Sequence, residues 1–481
     1  MENVNEYVLE RLDKLNALKE IGIDVYGRRF NKAENIEGLA KGFKEGLEVE
    51  TAGRITALRE HGKSSFFDLR DASGKIQVYI KSNSVGEDIY NNIFRKLDIG
   101  DILGVKGKLF KTRTDEVTIN AEDITVLAKG LRPLPEKWHG LKDVEIRYRQ
   151  RYVDLIVNED VRKVFQMRSK IISKIRGFLD EKGFLEVETP MMQALAGGAA
   201  GEPFKTHHKA LDIDLYLRLA PELYLKRLLV GGFDKVYELN RNFRNEGISI
   251  RHNPEFTMVE IYEAYSDCEG MMRLTEELFA QVAQETLGTL KIKFKDQVID
   301  FTAPWPRWSF AKEIKARFDI NPDDPAKEWI SKLKEKGVDL KVKDITRSQI
   351  VNIISEMLEP ETKDKPIFVV DLFVELCPLA KKKKENPLLT DRFELFIGGM
   401  EIANAYSELN DPIEQGKRFK EQLVGQEGVK EIDEDFVRAL EYGMPPAGGL
   451  GIGIDRLVML MTDQPSIRDV ILFPQLKPEA K

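Results

Sequence analysis

A chain of 481 residues is too long for one compact core, and 42% apolar with 32% charged residues describes ordinary globular domains rather than a disordered or fibrous polymer. A net charge of -7 excludes a globally basic nucleic-acid binder, so any RNA contact must come from a local cluster of Lys and Arg. Two remote cysteines, Cys268 and Cys377, without a CxxC or Cys/His cluster, exclude a disulfide framework and a zinc site and fit a reducing compartment.

In chain order, residues 1–48 open with an amphipathic helix whose Val4, Val8, Leu12, Leu15 and Leu18 share a face. This start lacks the apolar run of a signal peptide, and nowhere does the chain reach the roughly 18 uninterrupted apolar residues of a membrane helix. The expectation is a soluble, cytoplasmic protein without membrane association. Residues 49–130 change character to short alternating runs, VETAGRITALRE, SSFFDLRD, GKIQVYI, DILGVKGKLF and EVTINAEDITVL, with a turn from Asp71 to Gly74. Five strands in so short a span predict a small closed barrel of the five-stranded OB type.

Residues 131–152, with Pro133, Pro135 and the basic IRYRQRY, read as a linker, either solvated or a phosphate contact through Arg147, Arg149 and Arg151. From 153 to 481 helical and strand patterns alternate without βαβ periodicity, which disfavours a doubly wound parallel sheet. A helix from Glu159 to Lys182 stops at Gly183, and the strand FLEVETPMM must bend at Pro190. Residues 307–365 look like a charged helical insertion. His207 and His208 fall on opposite faces of a strand, which disfavours a metal pair, and AKKKKEN at 380–386 reads as a solvated loop. No P-loop and no dinucleotide GxGxxG after a strand occur.

The densest constellation is FRNEGISIRHNPEF at 243–256: arginines, a histidine, an acid and two aromatics between turn signals, read as strand, loop and returning strand. The chemistry that needs this set is attack of a carboxylate on a triphosphate, where arginine forks hold both reactants and an aromatic stacks on the base. FRNEG followed by RHNPEFTMVEIY resembles motif 2 of class II aminoacyl-tRNA synthetases of the lysine, aspartate and asparagine subgroup. GLGIGIDR at 449–456 resembles motif 3, and FLEVETPMM resembles motif 1. LRLAPELYLKRLLVGGFDKVYELNRNFR is similar to the lysine-specific members; aspartate members carry a Gln-containing sequence there and a basic pocket.

The resemblance runs from about Glu50 to Pro478 and implies an α+β architecture. An N-terminal five-stranded OB-fold barrel for the anticodon precedes a class II catalytic domain with a central antiparallel sheet flanked by helices. Motif 1 falls around 176–192, motif 2 around 238–262 and motif 3 around 447–473. It implies ATP-dependent ligation of L-lysine to tRNA(Lys) through lysyl-adenylate, releasing AMP and pyrophosphate, by a homodimer with Pro190 at its interface. Arg244 and Arg456 would be catalytic. Glu246, His252, Asn253, Phe256 and Gly453 would join them around ATP, with Glu394 and Glu401 binding Mg2+.

A cationic substrate needs buried carboxylates. By resemblance Glu222 and the backbone of Gly198 would hold the α-ammonium, Arg244 and Asn404 the carboxylate, and Glu408 with Tyr262 the ε-ammonium; Glu260 and Tyr406 complete the lysine-binding set. Glu260 and Tyr262 alternate on a strand and so share a face. Arg59, Phe66 and Gln77 on the barrel would read the central anticodon uridine by charge, stacking and hydrogen bonding. The run AKKKKEN could also touch tRNA phosphate. The pair Gly201-Glu202 departs from the family's usual Ala-Arg. It leaves three options open: a compensating cation, a solvent-facing Glu, or a shifted substrate. The competing readings are an aspartyl or asparaginyl enzyme, a relative that modifies a protein with a lysine-like residue and lacks the barrel, and a non-catalytic RNA-binding relative that would lack Arg244, His252 or Arg456.

Overall fold

The computed structural model describes residues 6–135, 141, 143–195, 197–199, 201–338, 345–362, 364–425 and 432–479. Val4 and parts of the expected linker and insertion lie outside the described residues. Two compact units divide the chain between Lys142 and Asp143.

In the first unit, β1 (Glu48–His61), β2 (Ser64–Arg70), β3 (Lys75–Lys81), β4 (Ile102–Lys111) and β5 (Val117–Ala128) close a barrel in the order β1-β2-β3-β5-β4. Alternation decides what fills it: Phe67, Leu69, Val78, Ile80, Leu103, Val105 and Ile119 are wholly buried, while Phe66 faces out. Each such inward side chain contributes about 1.5–3 kcal/mol by leaving water. The helix Glu6–Glu20 adds Leu15 and Leu18 to the same core. Arg11 is also buried, its guanidinium donating to the carbonyls of Ile99, Gly130 and Arg132.

The second unit begins with helices, Val144–Arg149 and Arg151–Val157, where the sequence suggested a linker. Its arginines are internal struts: Arg147 pairs with Asp154, Arg149 with Glu145, and fully buried Arg151 with Asp154 and the carbonyl of Leu472. They are not a free basic patch.

The strands of this unit are β6 (Leu185–Glu186), β7 (Met192–Gln193), β8 (Lys205–His208), β9 (Ile213–Leu217), β10 (Lys235–Phe243), β11 (Glu255–Ala264), β12 (Lys291–Phe294), β13 (Gln297–Asp300), β14 (Arg307–Ser309), β15 (Ile367–Val370), β16 (Arg392–Ile397), β17 (Met400–Ser407) and β18 (Ala447–Gly453). Eight form one sheet, β14-β15-β16-β17-β18-β11-β10-β6, antiparallel through its centre and parallel at the β14/β15 and β10/β6 edges. The helical insertion is therefore a crossover between paired edge strands, packed on its own core around Trp329. Helices Glu159–Glu181, Cys268–Leu287 and Ile454–Met461 cover one face of the sheet with the largest apolar cluster. The opposite face carries the site.

Candidate active site

Antiparallel partners point to the same side of a sheet, so register alone aligns the site in rungs. One rung runs Glu238–Glu260–Gly451–Asn404–Glu394 and the next Val236–Tyr262–Gly449–Tyr406–Arg392. The helix Glu222–Val230, opened by Pro221 and closed at Gly231, contributes Leu223, Leu225 and Leu229 to an apolar cluster on this face and brings Glu222 and Lys226 to it.

Here three carboxylates converge. Tyr406 donates to Glu222 Oε1 at 2.7 Å, Tyr262 donates to Glu260 Oε2 at 3.0 Å, and the Lys226 ammonium sits 2.6 Å from Glu222 Oε1 and against Glu408 Oε2. Glu408 Oε1 is buried without a hydrogen-bond partner among the described residues. Burial, then the charge of Glu222, pushes Glu260 up to about 8. Burial likewise pushes Glu408 up to about 8, with Lys226 opposing and Glu222 adding to the rise. Burial works against the Lys226 ammonium, but Glu222 and Glu408 outweigh it and raise its pKa. Gly449 makes the room: a Cβ there would lie 1.8 Å from Glu408 Oε1 and 2.6 Å from Tyr262 Cε1. Gly198, at φ +83°, lies against Glu222, since a Cβ there would be 3.5 Å from the Glu222 Cβ.

The other end of the face is basic. Arg244 leaves β10 with its N–H donating to Pro254, and its guanidinium lies 5.2 Å from the Phe256 ring centre. Arg456, on the helix that follows β18, donates to the Glu401 carbonyl at 2.7 Å and contacts His252 Nε2 at 3.0 Å; Ser249 contacts the other ring nitrogen. Burial, then Arg456, lowers the His252 pKa, favouring a neutral ring. Asp455 locks this helix to the sheet through Arg168 and the Thr257 N–H.

Beside them, Arg392 bonds both Asn404 and Glu394. Burial, opposed by Arg392 and reinforced by Glu401, pushes Glu394 up to about 7. Two crowded carboxylates of this kind suit a hard divalent cation.

Most of the expected residues share this face, and their present partners differ. The Asn253 amide donates to the Glu255 carbonyl and accepts from the Gln475 N–H. Glu246 is exposed, near Gly201 and Arg244. Glu202 also faces solvent, and its carbonyl accepts from the Asn245 N–H at 2.7 Å. The run at 380–386 is less free than expected: Lys382 pairs with Glu414, and Lys383 with Asp371. His207 pairs with Asp214 while His208 accepts from Leu211. Pro190 is exposed, as are Leu185 and Met192 around it.

On the barrel, Arg59 and Phe66 are cross-strand neighbours, and Phe66 stacks on Tyr79 at 4.5 Å. Gln77 pairs in register with Asp68, which holds Arg59 at 2.7 Å. Gln77 itself is braced by Thr118 and Glu116.

The profile described as "tRNA synthetases class II (D, K and N)" matches residues 143–477, and that of the "OB-fold nucleic acid binding domain" matches residues 49–127. The chain belongs to the class II tRNA synthetases. Similar proteins include the lysine–tRNA ligase of Carboxydothermus hydrogenoformans, 56% identical over 99% of both chains. That of Pelotomaculum thermopropionicum is 56% identical over 99% of this chain and 96% of its own. That of Moorella thermoacetica is 53% identical over 100% and 99%. Among the described residues of this synthetase no helix is long and apolar enough to cross a membrane.

Sequence reasoning missed two residues of the synthetase site. Lys226 follows Glu222 by four positions on a helix, the spacing of an ion pair, and Arg392 precedes Glu394 by two on a strand, the spacing of a shared face. Both signals were present, but nothing local marks either segment as buried.

Proposed function

We propose that this synthetase ligates L-lysine to tRNA(Lys) in the cytoplasm through a lysyl-adenylate, as a homodimer with the exposed Leu185, Pro190 and Met192 in its interface. The observation that carries the choice of lysine is the buried acid cluster of Glu222, Glu260 and Glu408, two of which pair with the Lys226 ammonium. An anionic side chain would meet three acids against the single ammonium of Lys226, which those acids already engage, and a neutral one would leave Glu408 Oε1 unpaired.

In the first step a carboxylate oxygen of lysine attacks the α-phosphorus and pyrophosphate leaves; in the second a terminal tRNA hydroxyl attacks the acyl carbon and AMP leaves. Arg244 bridges the two reactants of the first step, with Asn404 holding the carboxylate. Glu222 and the Gly198 backbone take the α-ammonium, and Glu408 and Tyr262 take the ε-ammonium, with Glu260 and Tyr406 around them. Phe256 and Arg456 flank adenine, and His252, Glu246 and Gly453 line the phosphate side. Mg2+, held by Glu394 and Glu401, would draw negative charge off the phosphates.

The test is amino-acid-dependent exchange of pyrophosphate into ATP across all twenty amino acids and ornithine. Lysine alone gives strong exchange; exchange with aspartate or asparagine overturns the pocket assignment. The same assay reads the acids' titration. Glu260 and Glu408, held near 8 in the empty site, must lose protons to grip an ammonium. Lysine KM therefore falls as pH rises from 6.5 towards 8, by roughly tenfold per pH unit for one released proton, and levels off above. A flat profile contradicts this.

Phe66→Ala removes a stacking face from the barrel. Exchange without tRNA stays intact, while kcat/KM for tRNA falls by about 5- to 100-fold, the worth of one stacked base. Equal loss in both assays would argue against an anticodon role.

A further inference from the structure

We propose that Lys226 is a positioning residue for substrate recognition: its buried ammonium takes one oxygen of Glu222 and one of Glu408, leaving the second oxygen of each for the bound amino acid. This rests on the reading of the pocket as a lysine site. Lys226 is fully buried, an expensive place for a cation unless its partners are fixed and close. Both partners are close: Glu222 Oε1 at 2.6 Å and Glu408 Oε2 in contact, joining residues 186 positions apart in sequence through a single nitrogen. The geometry is selective. Glu222 Oε1 is doubly engaged, by Lys226 and by the Tyr406 hydroxyl, while Oε2 has no hydrogen bond among the described residues. Neither Glu408 oxygen has a hydrogen bond among the described residues, but Oε2 is ion-paired to Lys226, while Oε1 has no such partner and lies over Gly449 in the room left by the missing Cβ.

The charge count agrees. Glu222, Glu260 and Glu408 carry three negative charges when ionised and Lys226 one positive. A substrate with two ammonium groups brings the sum to zero, with its carboxylate left for Arg244. The other titratable or charged groups acting on the cluster are Tyr262, Tyr406 and Cys377, whose phenols and thiol burial drives upward, and two ion pairs that cancel within themselves, Arg218 with Glu238 and Arg392 with Glu394. Without Lys226, Glu408 loses the counter-ion that opposes its burial and holds its proton to higher pH.

The experiment compares the full-length enzyme with Lys226→Met and Lys226→Gln by pyrophosphate exchange from pH 6.5 to 9, varying lysine and ATP separately. Lysine KM is expected to rise about 30-fold at pH 7.5 in both, the worth of a lost charge-assisted bond, with ATP KM changed less than about threefold. The pH above which lysine KM levels off moves up by about one unit or more. Should either single variant fail to fold, Lys226→Met/Glu222→Gln, which removes the buried pair together, carries the same comparison against Glu222→Gln, and the pH shift through Glu408 is expected there too. An unchanged lysine KM and pH profile, or an ATP KM that rises in step with lysine KM, overturns the assignment. Absence of lysine-dependent exchange in the unsubstituted enzyme is a different result, since it removes the lysine reading itself.

Discussion

Arg244→Ala lowers lysine-dependent pyrophosphate exchange by about 10³-fold, almost entirely in kcat, without unfolding the protein. Nothing inside the protein competes for this guanidinium: it makes no ion pair or hydrogen bond among the described residues, and its buried Nε is unpartnered. The guanidinium lies against the Phe256 ring, a contact worth about 0.5–1 kcal/mol at a partly exposed site. An arginine without an ion pair among the described residues, at the mouth of a hairpin and beside an aromatic ring, is a group kept for charge that develops during reaction. Losing about 4 kcal/mol of transition-state stabilisation gives the stated factor. Arg244→Lys retains charge but not the planar fork, so it recovers only part of the rate. Steady-state kcat and KM for lysine and ATP, with thermal melting alongside, check this. A kcat within tenfold of the unsubstituted enzyme would falsify the assigned role.

The second large effect follows from the smallest side chain. Gly449→Ala raises lysine KM by two orders of magnitude or more while leaving the ATP end of the face assembled. The added methyl would occupy space 1.8 Å from Glu408 Oε1 and 2.6 Å from Tyr262 Cε1, far inside van der Waals contact. Its neighbours cannot retreat freely, because Gly449 lies between Tyr262 and Tyr406 in the register of β11, β18 and β17. Glu408 must turn, breaking its contact with Lys226 and the alignment of its open oxygen. Overpacking of this kind also costs about 1–3 kcal/mol of stability, so melting falls modestly. The neighbouring Gly451 is the internal comparison: a Cβ there meets its nearest atom, the Met258 methyl, at 3.1 Å, and a flexible Met can move aside. Similar KM values for the two variants would show that the glycines matter only for packing.

The barrel was legible because its strands alternate and its turns are marked, as at Asp71, whose N–H bonds the Gly74 carbonyl. The acids of β11, β16 and β17 were legible because motif spacing and period-two faces agree. What stayed hidden depends on register and burial between distant segments. Gly449 read only as the start of the motif 3 run, and nothing local reveals that it makes space for a carboxylate. Arg151 read as a basic connector because nothing local reveals that the Leu472 carbonyl will receive it. That the Asn253 amide also receives the Gln475 N–H, 222 residues away, had no local sign. The parallel edge pair β14/β15 was hidden behind three helices of intervening sequence.

The position of β18 also bears on when the site comes into being. It is the last strand in chain order, yet it lies between β11 and β17 in the middle of the sheet. During synthesis those two strands wait with facing, unsatisfied ladder edges, and Glu260 and Glu408 wait on opposite halves of a divided surface. Pairing across so long a sequence separation is slow and leaves open edges exposed to wrong partners. Insertion of a strand with four glycines closes the sheet and assembles the acid cluster in one event. A nascent chain of this synthetase therefore cannot capture its amino acid early: the pocket is a late product of folding.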